Sequence, residues 1–473
     1  MSEVEDIFDS RLKSCLTRIS LRKFDLKNVE DTFNEVENLF KCFVNEKPLA
    51  DGANADSESV CDNLPLGPLA TKLIESDFLS KLVSWCTALE CPQETNHLII
   101  RHLLLNFDFL ISQAKQSLLF SNVIFQPILK SIDACHDLAD VFLDSLSRLL
   151  YTLSVFLCRD PILLEFSKQV SHDVTRNEYF IFSSLVPLLH LPGSPGSKAR
   201  DALLLILQLS DRDTEVANYL TCKSDICPVL ATGLSGYYSC LPKRLVLNGV
   251  GGRSARDESG GADALHVRGK GWHRITRPEW FECEVLVQFL QTLDFCNLAV
   301  RISHQSVRQY LLYYIYSGFL MSVLRSALNQ QSLEEVTAAE AYLELFLRRL
   351  TEPSLIGLFL RFIVASTDED ESVLSSLISR LSFNSTLGMV TLSLFRTILN
   401  LNCEDIMFLL VFQYLNKLDF VVDSEVALSE VKKRGAIYLP NADNLSWLAS
   451  SERFSKLSFW CMDCTDPLLK YPK

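Results

Sequence analysis

The chain has 473 residues, 48% of them hydrophobic and 22% charged, with a net charge of −13 and a mean hydropathy of +0.15. That balance belongs to a folded protein with material for a large core or a long array of helices. So acidic an average surface gains little from the counterion release that drives nucleic-acid binding, and an anionic membrane does not attract it.

Residues 1–48 are amphipathic, with Phe8, Leu12, Cys15 and Leu16, then Phe33, Val36, Leu39, Phe40 and Phe43, recurring at helical spacing. They predict two N-terminal helices, followed by a polar, acidic loop at 49–63. A first helical part is expected over 64–242. Within it Asp77 is placed to cap a helix over 78–89, and 96–110 is apolar on most faces. Segments 118–130 and 135–158 continue the pattern, and Asp160-Pro161 marks the start of a short helix over 161–169. Two apolar runs, 180–191 and 202–209, flank a turn in which Pro192, Gly193, Pro195 and Gly196 interrupt any continuous helix. Residues 243–271 hold seven glycines among polar residues and read as one flexible loop. A second helical part is expected over 272–425. It includes 304–327 with a break at Gly318, the acidic turn Asp368–Glu371, and Asn402 with Asp405 as a capping box whose Leu401 packs on Ile406. The last stretch, 426–473, is weakly patterned.

Helix follows short connection follows helix for some 400 residues without an exact repeat. This is how irregular HEAT or armadillo-like arrays look, in which each pair buries its apolar face on the next. The expected fold is all-α, an irregular α-solenoid, with one compact helical domain as the alternative. Fifteen cysteines fall mostly inside apolar patterns, and the N-terminus MSEVEDIFDSRLKSC carries no apolar signal core. Thiols in a reducing compartment are the expectation. Charges such as Asp144, Arg148 and Arg361 divide the longest apolar runs before the roughly 20 residues of a membrane span. A cytoplasmic chain without membrane insertion follows.

No motif specifies chemistry. Gly233-Leu234-Ser235-Gly236 is half of a nucleophile elbow, but Tyr237 stands where the last glycine belongs and no strand precedes it. Cys461 and Cys464 have the inner spacing of a zinc pair without a second pair, and the eight histidines are dispersed. The glycines at 249–252 lack the lysine of a phosphate loop. No catalytic residue, cofactor or metal is expected. Trp272 and Trp280 flank Arg274, Arg277 and Glu279, a mixture used by interface hot spots. A tryptophan that re-anchors the chain after the glycine-rich loop is the competing explanation.

A longer pattern carries a resemblance. Tyr179-Phe180-Ile181-Phe182 and Leu185-Val186-Pro187-Leu188-Leu189-His190 are followed by Ala199-Arg200-Asp201-Ala202-Leu203-Leu204 and by Cys227-Pro228-Val229-Leu230-Ala231-Thr232-Gly233-Leu234-Ser235-Gly236. Further on come Leu293-Asp294-Phe295-Cys296-Asn297, Ala341–Arg348, Leu392–Thr397 and Leu401–Met407. Together these resemble the conserved domain of the FHIP (FTS and Hook-interacting protein, or retinoic-acid-induced-16-like) family over roughly residues 60–420.

The resemblance implies a non-enzymatic α-solenoid adaptor in complex with FTS, an inactive ubiquitin-conjugating-like protein, and a Hook-family coiled-coil protein. Through a Rab-type GTPase of early endosomes, such a complex links vesicles to dynein and dynactin. Two departures stand out. Leu191–Gly196 replaces a charged turn resembling HREGxIG, and the chain stops where many members continue for hundreds of residues. The contact candidates are His190, Arg200, Tyr237, Tyr238, Trp272 and Arg348, each with interface-type chemistry and no evident core role. A regulator of a small GTPase's nucleotide cycle and a scaffold of an unrelated assembly are the rival readings.

Overall fold

The structure, a computed structural model, describes residues 2–20, 26–44, 68–88, 91–113, 122–135, 139–159, 179–248, 264–268, 272–364, 372–381 and 386–412. Apart from one small sheet these are helical, and helices pack on near neighbours in sequence: the fold is all-α, an irregular α-solenoid. It divides into two compact units, Met1–Leu230 with Arg301–Leu311, and Ala231–Val300 with Leu312–Lys473.

The first unit opens with an antiparallel pair, α1 (Ser2–Ser20) and α2 (Leu26–Val44). Phe8, Leu12, Cys15 and Ile19 of α1 are buried with Val29, Phe33, Val36, Leu39, Phe40 and Phe43 of α2. The ion pairs Arg11–Glu35 and Arg18–Asp31 flank the seam. Burial pushes the Cys15 thiol up to about 12, so it behaves as a small hydrophobe. Next come α3 (Pro68–Glu75), α4 (Phe78–Ala88), α5 (Gln93–Gln113), α6 (Asn122–Asp133) and α7 (Asp140–Arg159). The α5–α7 contact is cross-braced by Asp108, which is 3% exposed. It accepts from Arg148 Nε at 2.7 Å and Thr152 Oγ1 at 2.9 Å, so the buried carboxylate keeps partners that water would otherwise supply.

After α8 (Phe180–Leu185) and a 3-10 turn at Val186–Leu188, α9 spans Gly193–Ser210 and packs on α7. The expected break at 192–196 is therefore shorter. Gly193 turns the chain at φ 73°, and Pro195 sits in the first helical turn, where the missing N–H costs nothing. The unit continues through α10 (Thr214–Cys222), capped by Asp213 on the amides of Glu215 and Val216. The expected helix 161–169, the loop 49–63, the acidic turn 368–371, Cys461, Cys464 and the tail 426–473 lie outside the described residues.

The second unit takes the C-terminal part of α11 (Ile226–Ser239), then β1 (Arg244–Asn248) and β2 (Ala264–Arg268). These pair in parallel, Arg244 opposite Ala264 through Asn248 opposite Arg268. The segment read as one loop thus holds two strands. Leu265 and Val267 alternate inward at 5% and 0% exposure. Helices α12 (Arg277–Phe281), α13 (Glu284–Ile302), α14 (Gln305–Leu328), α15 (Leu333–Arg349), α16 (Pro353–Val364), α17 (Val373–Arg380), α18 (Thr386–Asn400) and α19 (Glu404–Met407) follow, except that the end of α13 and the start of α14, within Arg301–Leu311, belong to the first unit.

Three local expectations are corrected. Helix α14 is not broken at Gly318 but continues through a π-helical stretch, Ile315–Leu324. Asp77 and Asn402 adopt positive φ, 48° and 52°. Each lies between a helix end and the next helix, in the left-handed position that Asp and Asn tolerate, and Cys403 takes the cap position of α19. Finally, α7, α13 and α14 do reach membrane-spanning length and mean hydropathy, since their few charges are outweighed by the apolar residues around them. Roughly half of each apolar stretch is buried inside this fold.

Candidate functional site

In the second unit, residues 272–281 are fixed from several sides at once. Trp272 and Ile275 are buried at 7% and 0% exposure. Thr276-Arg277-Pro278-Glu279 opens α12: Glu279, itself buried, accepts from the Thr276 amide at 2.6 Å and from Thr276 Oγ1 at 2.8 Å. This is the reach-back half of a capping box. Arg348 at the end of α15 donates to the Ile275 carbonyl at 2.6 Å and to Glu344 at 3.0 Å. Glu344, 1% exposed, also accepts from Thr397 Oγ1 at 2.8 Å. Arg349 holds its guanidinium 5.7 Å over the Trp280 ring and pairs with Asp294 of α13.

This clamp carries Phe281, whose ring lies 6.0 Å from that of Trp280 and which is 67% exposed, more than any other large hydrophobic among the described residues. Leu298, one turn beyond Asp294 on the same stripe of α13, is 42% exposed. Arg274 and Arg277 are exposed and make no ion pair among the described residues. A rigid, solvent-facing aromatic beside arginines is the composition of a protein-binding hot spot. Burying Phe281 against a partner recovers about 2 kcal/mol of hydrophobic free energy.

The six contact candidates do not converge on one face. Trp272 is buried and Arg348 reaches inward, so both support the Phe281 platform from beneath. Tyr238 is buried too: its ring meets Phe289, Phe319, Tyr342 and Phe346 at 5.7–6.3 Å, and burial raises its hydroxyl pKa. The expectation of an exposed role for Tyr238 and Trp272 is therefore corrected. Tyr237 beside it is half-buried. Tyr238 also lines a cleft of about 300 Å³ with Leu241, Ser322, Ser326, Ala338 and Tyr342.

His190, in the turn before α9, and Arg200, inside α9, belong to the first unit. Arg200 Nη1 donates to the Leu189 carbonyl at 3.0 Å, and His190 Nε2 lies 3.3 Å from the Val229 carbonyl. Burial lowers the His190 pKa, and the nearby Arg200 adds to this. The unfolded chain then takes up the proton more readily. The stability contributed by neutral His190 is present above the ordinary value of 6.5 and is lost as pH falls through it toward the folded value. An imidazole NMR titration is expected to give a midpoint below 6.5, and His190→Gln is expected to remove this part of the pH dependence of the melting temperature. A midpoint at or above the ordinary value would refute the assignment.

Ser235 is not a nucleophile. It sits in mid-helix, its Oγ 2.9 Å from both the Ala231 and Gly318 carbonyls, and the Ala231 methyl lies 3.4 Å from where a Cβ on Gly318 would stand. The small residues therefore serve a close helix–helix approach. Among the described residues no group of three or more His, Cys, Asp or Glu is placed to hold a metal ion.

Residues 73–415 match the family described as retinoic acid induced 16-like protein. The chain belongs to the retinoic acid induced 16-like family. Members of that family similar to it include FHF complex subunit HOOK-interacting protein 1B of Danio rerio, 35% identical over 441 residues. That alignment covers 90% of this chain and 36% of the relative. FHF complex subunit HOOK-interacting protein 1A of Homo sapiens is 36% identical over 359 residues, covering 76% of this chain and 32% of the relative. The chain thus spans about a third of the length of these relatives.

Phe281, Arg349 and Leu298 were not singled out by the sequence. A signal for the platform exists in Thr276-x-x-Glu279 followed by two adjacent aromatics. Which aromatic faces solvent depends on the distant residues Asp294 and Arg349.

Proposed function

We propose that the chain is a non-enzymatic adaptor subunit of an FTS–Hook–FHIP-type complex. In this reading it binds a Hook-family coiled-coil protein and an FTS-like inactive ubiquitin-conjugating-like protein. Through a Rab-type GTPase it links early endosomes to dynein and dynactin, working as a cytoplasmic protein held peripherally at the endosome. The observation that carries the reading is the similarity to HOOK-interacting proteins 1A and 1B over 76–90% of the chain. The clamped aromatic platform supports it as well, since its scaffolding serves presentation and no reaction chemistry is gathered there. Tyr237 and Arg348, which keep exposed atoms, and the half-buried His190 and Arg200 are proposed as contact residues.

The experiment is affinity purification of the tagged chain from cytosol, with and without a GTP-locked endosomal Rab, read by mass spectrometry. Recovery of a Hook protein together with the FTS-like protein, increased on membranes by the Rab, is expected. A folded chain that recovers neither protein would overturn the adaptor role and leave the solenoid.

A further inference from the structure

Of the 16 prolines in the chain, Pro195 alone follows a serine or threonine, so a kinase that selects proline directly after its acceptor has one target here, Ser194. That serine is exposed in the first turn of α9. Its Oγ donates to Asp144 Oδ1 of α7 at 2.9 Å, and Lys198 Nζ donates to the same oxygen at 2.8 Å. Lys198, with Ser194 contributing less, holds the Asp144 carboxyl below its ordinary value of 3.8, so it is ionised at neutral pH. We propose that Ser194 is a phosphorylation site for a proline-directed serine kinase, and that the phosphate releases the start of α9 from Asp144 and becomes its new cap.

The backbone favours access. Proline disfavours the helical conformation of the residue before it and moves that residue toward extended backbone. Pro192 is already extended, with φ −73° and ψ 160°, and Gly193 turns at φ 73°. Ser194 therefore has to leave only the edge of the helix to present an extended segment to a kinase groove. The tether it gives up is one exposed side-chain bond to Asp144, a contact of small worth. In the transfer, Ser194 Oγ attacks the γ-phosphorus of ATP and forms the new O–P bond. The bond to the β-phosphate oxygen breaks, ADP leaves, and the hydroxyl proton passes to the kinase's catalytic base.

A phosphoserine carries about −2 charge at neutral pH. In place of the present hydroxyl it would face the Asp144 carboxylate as a like charge, with no proton left to donate. The same dianion suits the end of a helix. With the helix start moved to Pro195, proline stands at the first position, where its missing N–H costs nothing. The phosphate then accepts from the amides of Gly196 and Ser197, which have no intrahelical partner there. Lys198, four residues on, exchanges Asp144 for the phosphate. The modification thus moves a cation from a contact between α7 and α9 to a contact within α9.

The test incubates the folded full chain with ATP and a purified proline-directed kinase and maps the product by mass spectrometry. One phosphate, on Ser194, is expected. Ser194→Ala and Pro195→Ala are expected to lose it, and Ser197→Ala, at the neighbouring exposed serine, to keep it. A phosphate on another residue, or modification of the heat-denatured chain alone, would overturn the site. Thermal melts read the release. Phosphorylation is expected to lower the melting temperature of the parent more than that of Asp144→Asn, by about 2 °C, the scale of one exposed charge contact in a unit of this length. Asp144→Asn keeps an oxygen for Ser194 and Lys198 and removes only the charge. An equal shift in the two backgrounds would show that the phosphate does not act on Asp144 and would overturn the release of α9. Both results are independent of the adaptor reading.

Discussion

Gly196→Ala is expected to destabilise the first unit by about 3 kcal/mol or more, the upper end of what overpacking costs. The sign is the informative part. Gly196 lies in the first turn of α9, where alanine ordinarily improves a helix by roughly 0.5–1 kcal/mol. Here a Cβ would stand 1.8 Å from the Leu191 carbonyl oxygen and 2.8 Å from its carbon, both backbone atoms, and 3.1 Å from Arg200 Nη1. Neither backbone atom can step aside without moving the turn. That turn is tied by Leu191 N to the Leu188 carbonyl at 3.2 Å and by Arg200 to Leu189.

Gly193→Ala is the comparison. Its φ of 73° makes any L side chain strained, but the nearest atom to its Cβ is 4.0 Å away. The cost should stay near 1–2 kcal/mol. Urea denaturation of the two variants separates them. Equal, small losses would mean that the turn yields freely and that Leu191–Gly196 is no rigid feature of this chain.

Legibility followed the range of the interactions. The apolar faces of α1 and α2 were readable because 3.6-residue periodicity is local, although Ile19 rather than Leu16 completes the buried stripe of α1. The parallel strands were not: Leu245, Leu265 and Val267 alternate over only five residues each, among glycines, and their pairing spans twenty positions of sequence. Asn402 precedes Asp405 as a cap would, yet the same side chain suits the left-handed residue that ends a helix, and the tight α18–α19 connection selects that use. The sequence offered Trp272 both as an exposed contact and as an anchor, and its burial selects the anchor. The prominence of Phe281 was not legible, because it arises from what Arg349 and Asp294 cover and what they leave open.

The largest loss predicted for the second unit comes from Arg380→Ala, about 3–5 kcal/mol, the usual cost of removing one partner of a buried ion pair. Glu340 in α15 has no exposed surface. One oxygen accepts from Arg380 Nη1 at 2.7 Å, the other from Thr391 Oγ1 at 2.6 Å, and Arg380 Nη2 reaches on to the Leu328 carbonyl at 2.7 Å. Burial raises the Glu340 pKa above 4.5 even so, with Thr391 and Arg380 only partly offsetting it.

A carboxyl raised in the folded state favours folding at low pH, and that contribution is lost as pH rises through the folded value. Removing Arg380 raises the folded value further. The penalty should therefore be largest near neutrality and shrink as pH falls toward the ordinary glutamate value of 4.5. Glu340→Gln placed on Arg380→Ala should restore part of the stability, because the stranded charge is gone while Thr391 still has an oxygen to bond. Urea denaturation at two pH values checks both. A loss that does not change with pH, and no recovery in the double variant, would show that the guanidinium works through packing and its bond to Leu328 rather than by neutralising Glu340.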